Sequence, residues 1–305
     1  MKALVVGHTY IASINRDKWK TLAHLYPQVE LLVVIPSVWS GHLLEHNANN
    51  IEKDNLPNCH FKALNIKHSG NEMRYRYNNK DLFNILKTFK PDVIHVEQGD
   101  NALSYLQIIL LTKILRLRAK ILFFTWINWN HKFSWKYKLL WKRLENFNLS
   151  NSDGAITGNL DAKKILHQKS FDKPILVLPQ LGVSNATFKA AKIFDPSNIK
   201  YIGCFGRMVN EKGILLLINA FAEIFETIFG WKLIFVGNGP CKNEAQQLVQ
   251  KLNIQEFVEF HGSVTHEELP KFLNKIEILV LPSFDTPEWK EQFGHILIEA
   301  MSCKI

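Results

Sequence analysis

Two short stretches in the second half of this 305-residue chain carry side chains that could hold a charged leaving group. The first, Gly206-Arg207-Met208-Val209-Asn210-Glu211-Lys212-Gly213, follows an apolar run and opens a segment with helical spacing. Its glycines let the backbone turn and come close to a ligand. Arg207 offers a planar fork for phosphate oxygens and Lys212 a point charge, while the helix start adds a partial positive charge. A solvated turn with incidental charges also fits these eight residues. The second stretch, Glu291 to Glu299, places two carboxylates eight residues apart around Gly294. With a helix starting near Gly294, Glu299 lies about one and a half turns into it. Amides at that start can face a diphosphate, and the carboxylates can accept bonds from sugar hydroxyls on either side. Taken alone, an ordinary amphipathic helix is the plainer alternative.

Other signatures are missing. There is no GxxxxGK[ST] and no GxGxxG, with Gly237 and Gly239 in FVGNGP the nearest approach, which disfavours a kinase, NTPase or dinucleotide enzyme. No HExxH, GxSxG or DxD occurs, so neither a metal ion nor a serine nucleophile is expected. The four cysteines, Cys59, Cys204, Cys241 and Cys303, lie far apart with no CxxC pair, as reduced thiols of a cytoplasmic protein would.

The elements that must position these residues follow a regular alternation. Apolar runs at Ala3–Gly7, Leu31–Ile35, Val93–Val96, Ile121–Thr125, Gly154–Thr157 and Ile175–Leu178 read as strands. A second series runs Tyr201–Phe205, Lys232–Val236, Val258–His261 and Ile278–Leu281. Helical spacing separates them, and near-continuous apolar strands alternating with helices indicate parallel sheets covered on both faces. The fold expected is α/β, with two Rossmann-like doubly wound domains facing a cleft. We place an N-terminal domain at 1–180, a linker at 181–198 and a C-terminal domain at 199–305. The second domain is short for a doubly wound sheet, which leads us to expect it to be incomplete, with the chain truncated at its C-terminal side.

Apolar residues make up 47% of the chain and charged residues 21%, an ordinary globular balance that excludes disorder. The longest apolar stretch, Leu103 to Phe124, is broken by Lys113, Arg116, Arg118 and Lys120, so no spanning helix is expected. The net charge is +9, and residues 101–144 hold nine Lys and Arg with no acidic residue. Within that window Phe133, Tyr137, Leu140, Trp141, Leu144 and Phe147 recur at helical spacing among Lys132, Lys136, Lys138, Lys142 and Arg143. Such a helix could lie on an anionic bilayer through residues 111–147, or turn its stripe to the domain core with the lysines solvated. Nucleic acid is not expected as a partner, since no recognised binding module accompanies the charge.

The segments GRMVNEKG, FVGNGP, FHGSVTHEELP and VLPSFDTPEWKEQFGHILIEAM together resemble the retaining glycosyltransferase family 4, of the GT-B fold. The resemblance covers the second half almost continuously and the first half more loosely. It implies that Arg207 and Lys212, beside Gly206, hold a donor diphosphate and stabilise the leaving group. It further implies that Glu299 bonds the nucleotide ribose and that Glu291 faces the donor sugar. Phe293, Gly294 and His295 would then line the diphosphate and sugar. On the acceptor side it points to the turn after Gly7 and to Asn128, in a turn where family members often carry a histidine. His95 and Glu97 end another strand and are further candidates, a structural role being the alternative for His95. The implied activity is sugar transfer from a nucleotide-diphosphate sugar to a glycan or lipid-linked acceptor. Configuration would be retained without metal, cofactor or protein nucleophile, in cell-envelope or polysaccharide synthesis on the cytoplasmic side of a membrane. A non-catalytic remnant that binds a membrane or partner, and a nucleotide-sugar epimerase, are the rival readings.

Overall fold

The computed structural model describes residues 1–40, 45–48, 51–129, 135–191, 199–287 and 289–305. The chain divides into two units, Met1–Leu181 and Gly182–Ile305. In the first, strands β1 (Lys2–Val6), β2 (Glu30–Pro36), β3 (Cys59–Leu64), β4 (Val93–Val96), β5 (Lys120–Thr125), β6 (Gly154–Thr157) and β7 (Ile175–Val177) build one parallel sheet. Its order is β7-β6-β5-β4-β1-β2-β3. Helices α1 (Asp17–Leu25), α2 (Asn79–Phe89), α3 (Leu103–Ile114), α4 (Trp135–Ser150) and α5 (Leu160–Gln168) connect the strands. The strand order reverses between β1 and β4, which pair Val6 with Val96. In such sheets ligands sit beyond the carboxyl ends of the strands at that reversal.

Alternation along β1 explains the two cores of this unit. Leu4 and Val6 face one side, packed with Leu82, Leu86, Tyr105 and Ile108 of α2 and α3. Val5 faces the other, with Leu31, Val33 and Ala23. Both faces are therefore covered around β1, which is why the strand reads as a continuous apolar run. Helix starts are specified locally: the Asn78 side chain accepts from the amides of Lys80 and Asp81, and Asn159 from that of Ala162.

The second unit repeats the plan with β8 (Lys200–Phe205), β9 (Trp231–Val236), β10 (Val258–His261) and β11 (Ile278–Leu279), in the order β10-β9-β8-β11. All pair in parallel. Helices α6 (Ile214–Ile224) and α7 (Lys242–Lys251) cover one face, α8 (Leu269–Leu273) and α9 (His295–Ser302) the other. The reversal here lies between β8 and β11.

Four features depart from the sequence-based expectations. Strand β3 was not expected because its burial alternates, with Cys59 and Phe61 inward and His60 and Lys62 exposed, as suits a sheet edge with one wet face. Helix α1 has only Ala23 fully buried, so its pattern is weak. Phe188, inside the expected linker 181–198, is core: it packs with Tyr201, Phe205 and Ile276, and its carbonyl accepts from Ser302 Oγ at 2.6 Å. Residues 192–198 of that linker lie outside the described residues. Finally, the aromatic stripe does not form a single face in α4, since Leu140 is 69% exposed while the adjacent Trp141 is buried. Trp141, Asn148 and Leu149 point inward, one helical face apart from Leu140. Lys132 and Phe133, and the side chains of Lys136, Tyr137 and Lys138, lie outside the described residues.

The buried thiols are chemically quiet. Burial pushes Cys59 up to about 11 and Cys204 up to about 12. Leu82 and Ile218 have no exposed surface and belong to separate cores, one in each unit. Truncating either to alanine is expected to destabilise its own unit by about 2–5 kcal/mol. Urea denaturation followed by circular dichroism checks this, and the double variant should lose the sum of the two effects.

Candidate functional site

In the second unit the site is built where the strand order reverses. Strand β8 ends at Phe205, and Gly206 follows with φ 138°, open space beside its Cα. Arg207 is exposed, and its guanidinium has no hydrogen-bond or ion-pair partner among the described residues, while its carbonyl accepts from the Val209 amide at 3.1 Å. A short turn over Asn210–Lys212 leads to Gly213 at φ 68°, from which α6 starts. A Cβ on Gly213 would lie 2.2 Å from the carbonyl oxygen of Pro282, in the loop after β11. Glycine is required there both by the left-handed backbone and by this close approach. The same loop is tied back by the Phe284 amide, which donates to the carbonyl of Glu211 at 3.0 Å.

This junction brings the two motifs together. Lys212 Nζ lies 2.5 Å from Glu291 Oε2, and Ser283 Oγ donates to the same oxygen at 2.9 Å. The ammonium also sits 5.3 Å above the Trp289 ring, a cation–π distance. Gly294 then takes φ 70° and caps α9. Glu299 is 5% exposed and bonded to His295 Nδ1 at 3.1 Å, with His266 Nδ1 at 3.7 Å. His295 Nε2 meets the carbonyl of Gly182 at 3.1 Å, and its ring centroid lies 6.3 Å from that of Phe293. The bond to Glu299 raises the His295 pKa, against burial. Gly237 and Gly239 have a packing reason: a Cβ at either would run into the backbone oxygen of Gly206 or Met208. FVGNGP thus supports the loop that carries Arg207.

Chemically, the second unit presents an exposed guanidinium, an ammonium already paired with a carboxylate, and a buried carboxylate bonded to one imidazole with a second nearby. Such a cluster can take an anion on Arg207 and Lys212 if Glu291 turns to a neutral hydroxylated partner. Arg207 lies outside the Lys212–Glu291 pair. Ser283, Trp289 and His266 were not singled out from the sequence. Their only signal is position, just after a strand or inside segments noticed for other reasons.

In the first unit, Gly7 directly follows β1, His95 is the last residue but one of β4, and Asn128 lies beyond the end of β5. Gly7 is there for packing: a Cβ would meet the Tyr10 ring at 2.8 Å. Asn128 is buried in the turn after β5. His95 Nε2 lies 3.1 Å from Glu97 Oε1, and the same carboxylate accepts from Lys18 Nζ at 2.5 Å and from Gln180 Nε2. Trp126 Nε1 donates to Gln180 Oε1 at 2.7 Å. Burial opposes ionisation of Glu97, but the bond and charge of His95 and the Lys18 ammonium outweigh it and hold the carboxyl down at about 2. This network borders an apolar cavity of about 550 Å³ lined by Val5, Trp19, Leu31, Phe124 and Ile156 among others. Lys18 and Gln180 escaped the sequence reading because they meet Glu97 across 79 and 83 residues.

Comparison with known proteins bears on both units. An uncharacterised glycosyltransferase of Methanocaldococcus jannaschii is 27% identical over 238 residues, 73% of this chain and 56% of the relative. The lipopolysaccharide core biosynthesis mannosyltransferase LpsB of Rhizobium meliloti is 25% identical over 231 residues, 73% of this chain and 61% of the relative. The chain thus spans little more than half the length of these curated relatives. Among solved structures, the lipopolysaccharide outer core galactosyltransferase WaaB has a TM-score of 0.64 at 17% identity, covering 100% of this chain and 79% of its own. HepE of Anabaena, solved with UDP, has a TM-score of 0.66 at 14% identity, covering 99% and 79%. These likenesses give the fold, the α/β Rossmann-like plan of GT-B proteins. With residues 186–305, almost the whole of its second unit, the chain matches the family of glycosyl transferases group 1.

Proposed function

We propose that the protein is a glycosyltransferase that moves a sugar from a nucleotide-diphosphate sugar to a glycan or lipid-linked acceptor, with retention of configuration. The observation that carries this reading is the junction of Lys212, Glu291 and Ser283 at the strand-order reversal, inside the family-matched region. In this reading Arg207 and Lys212 hold the donor diphosphate beside Gly206. Glu299 accepts from ribose hydroxyls, Glu291 from the donor sugar, and Phe293, Gly294 and His295 line the space between. The first unit supplies the acceptor side, around Gly7, His95 and Asn128.

The chemistry follows from these charges. Breaking the bond between the anomeric carbon and the diphosphate oxygen leaves positive charge on the sugar and negative charge on the leaving group. Two fixed cations on that leaving group lower the barrier electrostatically, so the proposal needs no metal and no cofactor. No protein nucleophile is assigned; the acceptor hydroxyl attacks from the face the diphosphate leaves and passes its proton to the departing diphosphate oxygen. Relatives of lipopolysaccharide assembly support a cell-envelope acceptor. No described helix is long and apolar enough to cross a membrane. Leu139 and Leu140, both exposed beside Lys142 and Arg143, support an anionic membrane surface as the place of work.

Calorimetric titration with UDP, GDP and ADP tests the donor half, with circular dichroism as the folding control. One of the three is expected to bind, and Glu299→Ala is expected to weaken it about tenfold or more, about 1.4 kcal/mol. A folded chain that binds none of them would overturn the reading in favour of a non-catalytic binding protein. Once a donor is known, Arg207→Ala should lower kcat by about 10²–10³ while leaving the fold intact, because Arg207 is exposed and its charge acts on the leaving group. Unchanged kcat in that variant would remove Arg207 from the mechanism.

A further inference from the structure

Helix α9 opens with His295 and has no acidic residue in its first turn. The aligned peptide dipoles leave partial positive charge at that end, where an anionic side chain would stabilise the helix and a cationic one costs stability. A residue that can take up a proton is therefore out of place there on grounds of stability alone.

Its two ring nitrogens both face acceptors. Nδ1 lies 3.1 Å from Glu299 Oε1, one turn along α9, and Nε2 lies 3.1 Å from the carbonyl oxygen of Gly182. Neither a carboxylate nor a carbonyl oxygen has a proton to give, and a neutral imidazole has one N–H. A neutral ring would satisfy one partner and turn a lone pair toward the other. The imidazolium, with two N–H groups, satisfies both. The remaining neighbours do not oppose a positive ring. Phe293 offers an aromatic ring, with centroids 6.3 Å apart. His266, in the loop after β10, has its Nδ1 3.7 Å from the same Glu299 oxygen, beyond hydrogen-bond distance, and packs its ring on Phe188 at 4.8 Å.

This contact divides the labour of Glu299. Oε1 is taken by the imidazole, while Oε2 has no hydrogen-bond or ion-pair partner among the described residues. We propose that His295 is an imidazolium and a positioning residue: it fixes the Glu299 carboxylate so that Oε2 receives a nucleoside hydroxyl, and nucleoside-diphosphate binding weakens when the ring loses its proton. The nucleoside rests on the transferase reading; the charge of the ring does not. The direction of the pH effect follows from the bond to Glu299, which raises the His295 pKa above the ordinary histidine value. The positive ring is present below that ordinary value and is lost as pH rises through the raised one.

Side-chain nitrogen NMR of the histidine-labelled full chain tests the charge, with His295→Gln identifying the signals of this ring. Both nitrogens are expected to carry protons at neutral pH. Calorimetry with UDP, GDP and ADP between about pH 7 and 8.5, above the range in which the phosphates titrate, tests the consequence. The diphosphate that binds should lose about tenfold in affinity across that window, in the parent and in His266→Gln alike. His295→Gln, checked by circular dichroism, should bind about tenfold more weakly at neutral pH and show no dependence on pH. If that variant does not fold, backbone-linked assignment of the parent's ring signals carries the test. A neutral His295 ring at neutral pH overturns the proposal, and so does a pH dependence that persists in His295→Gln. An imidazolium in a chain that binds none of the three diphosphates would support the charge and count against the donor-site reading.

Discussion

The carbonyl oxygen of Pro282 occupies the space that a side chain on residue 213 would need, and the geometry of the second unit's site depends on that contact. It lets the turn after β8 press against the loop after β11, so that Lys212 and Glu291, which are 79 residues apart, come within 2.5 Å. A second contact of the same kind, Gly237 against the Gly206 carbonyl, sets the other flank of the turn. In both cases backbone meets backbone. Side chains of the site are therefore hung on a frame whose position does not depend on them, which is what a preorganised charge cluster requires.

Two of the acid–base clusters among the described residues differ in what they can do. Lys212 and Glu291 keep 17% and 28% of their side-chain surface exposed. A pair still open to solvent gives up one partner to a ligand more readily than a buried one. Glu97 keeps 1% exposed and is engaged by Lys18, His95 and Gln180 at once. Removing one partner of such a buried group costs about 3–5 kcal/mol, so that cluster holds α1, β4 and the segment after β7 together.

What was legible in the sequence follows from how each part is buried. Strands β1, β2, β4, β5, β8 and β9 are covered on both faces and show as apolar runs. Strand β3, with His60 and Lys62 facing out, carries an alternating pattern too short to stand above its surroundings. Arg207, Lys212, Glu291 and Glu299 could be picked out because each pair sits within one local segment. The network of Lys18, Glu97 and Gln180 draws one residue from each of three distant segments, and no spacing rule links them. The aromatic spacing of α4 misled for a related reason. Leu140 and Trp141 are neighbours in sequence, and a helix turns neighbours about 100° apart, here enough to send one outward and the other into the core.

The distribution of cysteines gives the molecule an internal clock. Cys59 is the sole thiol of the first unit, on the inward side of its edge strand, and Cys204 lies in an inner strand of the second. With both held as neutral thiols by burial, an alkylating reagent can reach them only when the surrounding structure opens. The rate at which Cys59 is modified therefore counts openings of the first unit alone, with no engineered label. Modification of Cys204, resolved by peptide mass from that of the partly exposed Cys241, counts those of the second. The two halves of the chain can thus be timed separately in a single sample.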